Sequence, residues 1–207
     1  MSSKNYETLM VLGIDFDNTI IKYDELFHKI ACEKGLIPTE LPKQKNAVRN
    51  YLRETEVEDE WTIIQGEVYG ERIKEAVPFS GILETLQMLN AEQIPINIVS
   101  HKTREPYLGP KRDLHAAALS WLKLNRIINT EGTGVKEDQV FFEVTKEDKI
   151  NRIVQIGCTH YLDDLPEILE MIPDGINKIL FSPNEERIFD RNWTVIKSWN
   201  ELPSVLS

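Results

Sequence analysis

Leu9-Met10-Val11-Leu12-Gly13-Ile14-Asp15-Phe16-Asp17-Asn18-Thr19 is a short apolar run that ends in two carboxylates. An apolar stretch of this length, bounded by polar residues, has the pattern of a strand covered on both faces. Alternation along a strand sets Asp15 and Asp17 on one side and Phe16 on the other. Two like charges so placed repel each other, so the pair either closes the strand as a polar turn or has a chemical reason to be there. Ligands of open parallel sheets bind just beyond the carboxyl ends of such strands. That position makes Asp15 and Asp17 candidate functional residues.

Five more runs read as strands, at residues 94–100, 140–144, 159–164, 178–182 and 194–197. Helical patterns lie between them. Ile82, Leu83, Leu86 and Leu89 recur at helical spacing. Asp113 is a good N-cap for the helix that follows it. Thr145-Lys146-Glu147-Asp148 resembles a capping box, with Asp in place of the usual Glu or Gln. Alternating strands and helices predict an α/β protein, a three-layer α/β/α core whose parallel sheet has helices on both faces. Residues 22–77 break the alternation. They hold amphipathic patterns at 24–31, 44–56 and 60–76 and no convincing strand, and Pro78-Phe79-Ser80-Gly81 marks the return. The expected division is a core of residues 1–21 and 78–207 with a helical insertion at 22–77.

The chain has 207 residues, which suits one domain carrying a modest insertion. Asp and Glu number 34 against 24 Lys and Arg, a net charge of −10. The basic residues are scattered among acids, so nucleic acid is not an expected partner. His101, Lys102, Arg104, Lys111 and Arg112 read either as a solvated loop or as a local basic patch. Cys32 and Cys158 have no metal-type spacing, and Cys158 reads as a buried filler. The run at residues 9–14 is too short for a signal peptide and no apolar run reaches membrane-spanning length. The expectation is a cytoplasmic protein with no membrane partner.

A second acidic signal is Asp163-Asp164, which again ends an apolar run, with Glu167 beyond it. Pro166 suits the start of the next helix, and Asp164 is a candidate cap for it while Asp163 does chemistry. Four carboxylates converging at one sheet edge call for a cation. Hard oxygen ligands suit Mg²⁺, and no His or Cys cluster suggests zinc. Ser100 closes the second strand, where its hydroxyl could bind a phosphoryl oxygen or simply shape a turn. A lysine lies before the acidic pair, either Lys149 or Lys146, with Lys149 favoured.

In this order the motifs resemble those of the haloacid dehalogenase superfamily. Asp15 and Asp17 match its first motif, Ser100 its second, the lysine its third, and Asp163 with Asp164 its fourth. The resemblance covers about residues 9–20 and 77–180. It implies a Rossmann-like sheet with the first strand central and a small helical cap at the place of the insertion. It implies Asp15 as nucleophile and Asp17 as general acid and base. Asp15, Asp17 (through its main-chain carbonyl), Asp163 and Asp164 are the implied metal residues, with Mg²⁺ the cofactor. Phe16, Asn18, Thr19, Ser100 and Lys149 are the implied phosphate contacts, and His101 is a candidate to reach substrate. The expected activity is hydrolysis of a small phosphorylated metabolite through an aspartyl-phosphate, by a monomer or homodimer. A phosphomutase or phosphotransferase, or a catalytically silent phosphate-binding protein, are the alternatives. Glu167 stands where many relatives place Asp. Gln65, Tyr69 and Arg72 are candidate substrate contacts from the insertion.

Overall fold

A computed structural model describes residues 9–183 and 192–206. The chain begins with β1 (Leu12–Ile14), β2 (Ile21–Lys22) and three helices, α1 (Asp24–Glu33), α2 (Lys45–Glu54) and α3 (Glu58–Tyr69). It continues through β3 (Val77–Pro78), α4 (Ile82–Ala91), β4 (Ile96–His101), α5 (Leu114–Leu124), β5 (Val140–Glu143) and α6 (Lys146–Gln155). The last elements are β6 (His160–Asp163), α7 (Pro166–Met171), β7 (Asn177–Phe181), β8 (Thr194–Ile196) and α8 (Leu202–Leu206).

Six strands form one parallel sheet in the order β5-β4-β1-β6-β7-β8. All six expected strands are present. Strand β1 pairs Leu12 with Ile96 on one side and with His160 on the other. The chain order reverses across β1, so the crevice at its carboxyl end is the expected ligand position of the fold.

The sheet divides the core into two layers because side chains alternate. Leu12, Ile14, Ile96, Ile98, Leu162, Ile179, Phe181 and Ile196 face one cluster, which also takes in α1 to α5. Val99, Tyr161 and Leu180 face the other, with Ile153 of α6 and Ile168 and Leu169 of α7. Gly13 lies on this second side. A Cβ there would meet the Tyr161 ring at 2.6 Å and Cys158 Sγ at 2.7 Å, so the glycine makes room for both. Cys158 is the buried filler that its sequence context predicts.

Several local expectations need correction. The helix expected over 60–76 stops at Tyr69, and a separate 3-10 turn follows at Ile73–Glu75. A Cβ on Gly70 would come within 2.7 Å of the Gly66 carbonyl oxygen, and the chain turns there. Residues 21–22 and 77–78 pair as an antiparallel two-residue ladder, β2 with β3. Two residues are too few to show a strand period, so sequence reading passes over them. This ladder closes both ends of the helical insertion. Asp113 caps α5 as expected, accepting the Ala116 N–H at 2.9 Å. Thr145 caps α6 through the Asp148 N–H, but the shorter Asp148 carboxylate binds the Thr145 hydroxyl, not its amide.

Candidate active site

The ends of β1, β4 and β6 bring Asp15, Ser100 and Asp163 together, and α6 adds Lys149 from behind. Lys149 Nζ lies 2.6 Å from Asp15 Oδ1 and 2.6 Å from Asp163 Oδ2. Ser100 Oγ donates to the same Asp15 oxygen at 2.9 Å. All four side chains are buried, Lys149 with 1% of its surface exposed. An ammonium so deeply placed needs both carboxylates. Burial works against its charge, but Asp15 and Asp163 outweigh it and hold its pKa well above the usual lysine value. Lys146 is elsewhere, on the surface, paired with Glu167 at 3.0 Å. The lysine of the cluster is therefore Lys149, and Glu167 is tied to Lys146 and not to the buried carboxylates.

Asp163 stays in the cluster as expected, but the capping contact expected of Asp164 is also made by Asp163. Asp163 Oδ1 accepts the Leu165 N–H at 2.9 Å, so the turn into α7 is held by Asp163. Among the described residues Asp164 caps nothing, and its Oδ1 is buried with no partner. One oxygen each of Asp15, Asp163 and Asp164 lie within 4.8 Å of one another. Burial lifts Asp163 to about 7, with Lys149 opposing and Asp15 adding to the rise. Burial and the charges of Asp163 and Asp15 push Asp164 well above the carboxylate range. Three carboxylates thus face one lysine, and an orphaned carboxylate oxygen waits among them. This donor set fits a hard divalent cation.

The Asp17 side chain is not part of that group. Lys102 Nζ contacts both of its oxygens, at 2.9 and 2.8 Å, and the Tyr23 hydroxyl donates to Oδ1 at 2.7 Å. Lys102 is the residue that sequence reading missed. It had been grouped with a loop of basic residues, yet only 4% of its surface is exposed. Two residues after Ser100, it falls on the same side of the chain by strand alternation, which is the signal that finds it. Its ammonium also lies 4.7 Å from the Tyr69 ring centre and 5.4 Å from that of Phe16. The other members of that basic stretch do not form a patch. Arg104 pairs with Asp113, Lys111 with Glu105 and Arg112 with Glu71.

The remaining candidates fall as follows. Phe16 is buried edge-on against Trp121 and Phe142, so its side chain is core. Asn18 adopts a left-handed backbone (φ 59°), and its N–H donates to the Ile21 carbonyl at 3.0 Å. That amide is engaged in the turn, contrary to the expectation that it holds an anion. Thr19 is buried, its carbonyl accepting from Trp199 Nε1 at 2.9 Å and its hydroxyl without a partner. His101 turns toward β5, its Nε2 3.0 Å from the Val144 carbonyl oxygen. From the insertion, Tyr69 packs against Tyr23 and Phe27, over Lys102. Arg72 is committed to Glu33, Glu67 and Glu75. Gln65 sits one helical turn before Tyr69, half-buried.

No family model matches the chain. A Bacillus cereus protein named "Putative nucleotidase" is 26% identical over 149 residues, covering 70% of this chain and 68% of the relative. Solved structures share the fold at lower identity. A subfamily IA hydrolase of the haloacid dehalogenase superfamily from Geobacter sulfurreducens superposes with a TM-score of 0.58 at 10% identity over the whole of both chains. A Haemophilus somnus protein described as a "predicted phosphoglycolate phosphatase" gives 0.59 at 12% identity, over 97% and 100%. A Deinococcus radiodurans hydrolase of the same superfamily, solved with bound phosphate and sodium, gives 0.55 at 15% identity, over 95% and 94%.

Proposed function

From a chain with the haloacid dehalogenase fold, we propose a Mg²⁺-dependent phosphohydrolase that acts on a small phosphorylated metabolite through an aspartyl-phosphate on Asp15. The observation that carries this reading is the division of labour on Asp15. Its Oδ1 takes both Ser100 and Lys149, while Oδ2 accepts no hydrogen bond among the described residues. One oxygen is anchored and the other is available to attack.

A carboxylate approaching a phosphate dianion meets strong repulsion, roughly 4 kcal/mol per charge pair at about 4 Å with an effective dielectric of 20. Asp15, Asp163 and Asp164, with the Asp17 main-chain carbonyl, would hold the metal. Bound there, Mg²⁺ supplies charge neutralisation and polarises a phosphoryl oxygen. Lys149 adds the protein's own positive charge beside Asp15, and Ser100 keeps the carboxylate in register.

In the first step Asp15 Oδ2 forms a bond to phosphorus as the ester P–O bond breaks. The leaving oxygen takes a proton from Asp17. In the second step Asp17, now a carboxylate, takes a proton from water. The water oxygen bonds to phosphorus, the aspartyl P–O bond breaks, and inorganic phosphate leaves. The Lys102 and Tyr23 contacts orient the Asp17 side chain for both transfers. We also propose residues 22–77 as a cap over the core of 1–21 and 78–207, with β2 and β3 as its two connections.

The test is to trap the intermediate. Acid quench of the enzyme with a radiolabelled phosphomonoester should leave label on the wild type and none on Asp15→Asn. Equal labelling of both would remove Asp15 from the role.

A further inference from the structure

Asp164, one member of the carboxylate cluster, borders a cavity of about 550 Å³, inside the roughly 300–1,000 Å³ range of small-molecule sites. Asp164 and Asn18 line it from the strand ends, and Phe79, Leu180 and Phe181 give it an apolar wall. Its remaining wall comes from α2, where Lys45 and Arg49 both line the space. Four residues apart on one helix, they project from the same face.

These two cations have no part in the chemistry above. Arg49 Nε is buried without a hydrogen-bond partner among the described residues. That sets it apart from Arg53, Arg72, Arg104, Arg112 and Arg152, each of which has a carboxylate partner. The one carboxylate on this wall, Asp24, is engaged by the Lys45 backbone N–H at 2.8 Å. Lys45 Nζ lies over the Phe27 and Tyr69 rings, at 5.6 and 5.7 Å from their centres. A guanidinium with free donors beside a lysine, in a cavity that begins at Asp164, is the chemistry of an anion site.

We propose that Lys45 and Arg49 form a subsite for a second anionic group of the substrate, a carboxylate or a second phosphate, additional to the phosphoryl group at Asp15. This rests on the phosphohydrolase reading and narrows its substrate class. The buried Nε–H of Arg49 is satisfied when the second anion binds and stays unpaired when it is missing. Discrimination of this kind is large because the site's own polar groups carry the penalty.

The test uses three probes of one carbon length with Mg²⁺ present. They are glycerol 3-phosphate, 3-phosphoglycerate and 1,3-propanediol bisphosphate. Asp15→Asn serves as the background, so that calorimetric titration reads binding without turnover. The account expects at least one two-anion probe to bind about 10- to 100-fold tighter than glycerol 3-phosphate, and which one does so identifies the second group. Adding Arg49→Gln or Lys45→Gln should erase most of that gain. Arg49→Lys, which keeps the charge, should retain part of it, and thermal melts verify that each variant is folded. Equal affinity for all three probes, with wild type still hydrolysing p-nitrophenyl phosphate, overturns the subsite and leaves the hydrolase reading standing. A gain that survives both glutamine variants also overturns it. If no probe binds and p-nitrophenyl phosphate is not hydrolysed, both readings fall together.

Discussion

Lys102 Nζ spans the two carboxylate oxygens of Asp17, at 2.9 and 2.8 Å, from the end of the strand beside β1. With the Tyr23 hydroxyl on Oδ1, it fixes the orientation of the group assigned to proton transfer. The Tyr69 ring, from the insertion, lies against the same ammonium. A positioned acid–base group contributes about 10² to 10⁴ in rate. Lys102→Gln keeps length but loses the charge, and should lower kcat by about 10-fold to 100-fold, a fraction of that contribution. KM should change less. Steady-state kinetics with p-nitrophenyl phosphate would show this; an unchanged kcat would mean that the ion pair is structural only.

Lys149 is the counterpart of that pair on the nucleophile's side. Removing it leaves Asp15 and Asp163 buried beside each other without their cation. Breaking a buried ion pair in this way typically costs about 3–5 kcal/mol. Lys149→Met should therefore melt well below wild type without metal, and added Mg²⁺ should recover part of the loss. A melting temperature equal to wild type in EDTA would show that the lysine is not what balances the cluster.

The Asp163 carboxyl, raised to about 7 by burial with Asp15 adding and Lys149 opposing, sets a pH dependence. Its value in the unfolded chain is about 3.9. Between those values the folded state holds the proton more tightly, so stability falls as pH rises through that window. Metal-free protein should lose stability from this group as pH rises between roughly pH 4 and 7, and level off above. Cation binding needs the ionised form. Apparent Mg²⁺ affinity should therefore rise with pH through about 7. Denaturant titrations and calorimetry over pH 5–8 test both halves, and an affinity that fell with rising pH would contradict the assignment.

Gly13→Ala places a Cβ 2.6 Å from the Tyr161 ring, beside Cys158. Both neighbours are buried within the sheet's second layer, so the strand must shift. Overpacking of this sort costs about 1–3 kcal/mol. Urea denaturation should show a lower midpoint, and an unchanged midpoint would mean that Tyr161 moves aside freely.

The sheet was legible in the sequence because each of its buried strands is a continuous apolar run, and the run at residues 9–14 ends in the carboxylates that mark the site. Asp15, Ser100 and Asp163 were likewise legible, since each closes such a run. What escaped was decided by side-chain direction and reach. Asp163 and Asp164 are adjacent, and only the backbone turn determines that Asp163 takes the Leu165 amide. Lys146 and Lys149 lie within one helical turn, and only packing puts Lys149 inside. Lys102 stood among charged residues whose pattern suggested solvent, although its place two residues after Ser100 turns it inward. Arg49 belongs to a helix whose amphipathic pattern gives no hint that one guanidinium lacks a partner.

The most direct measurement of the central claim is hydrolysis of p-nitrophenyl phosphate by wild type and Asp15→Asn, each with Mg²⁺ and with EDTA. The account predicts turnover by wild type with Mg²⁺ alone, and none by the folded Asp15→Asn protein in either condition. Full activity of Asp15→Asn, or wild-type activity untouched by EDTA, would contradict it.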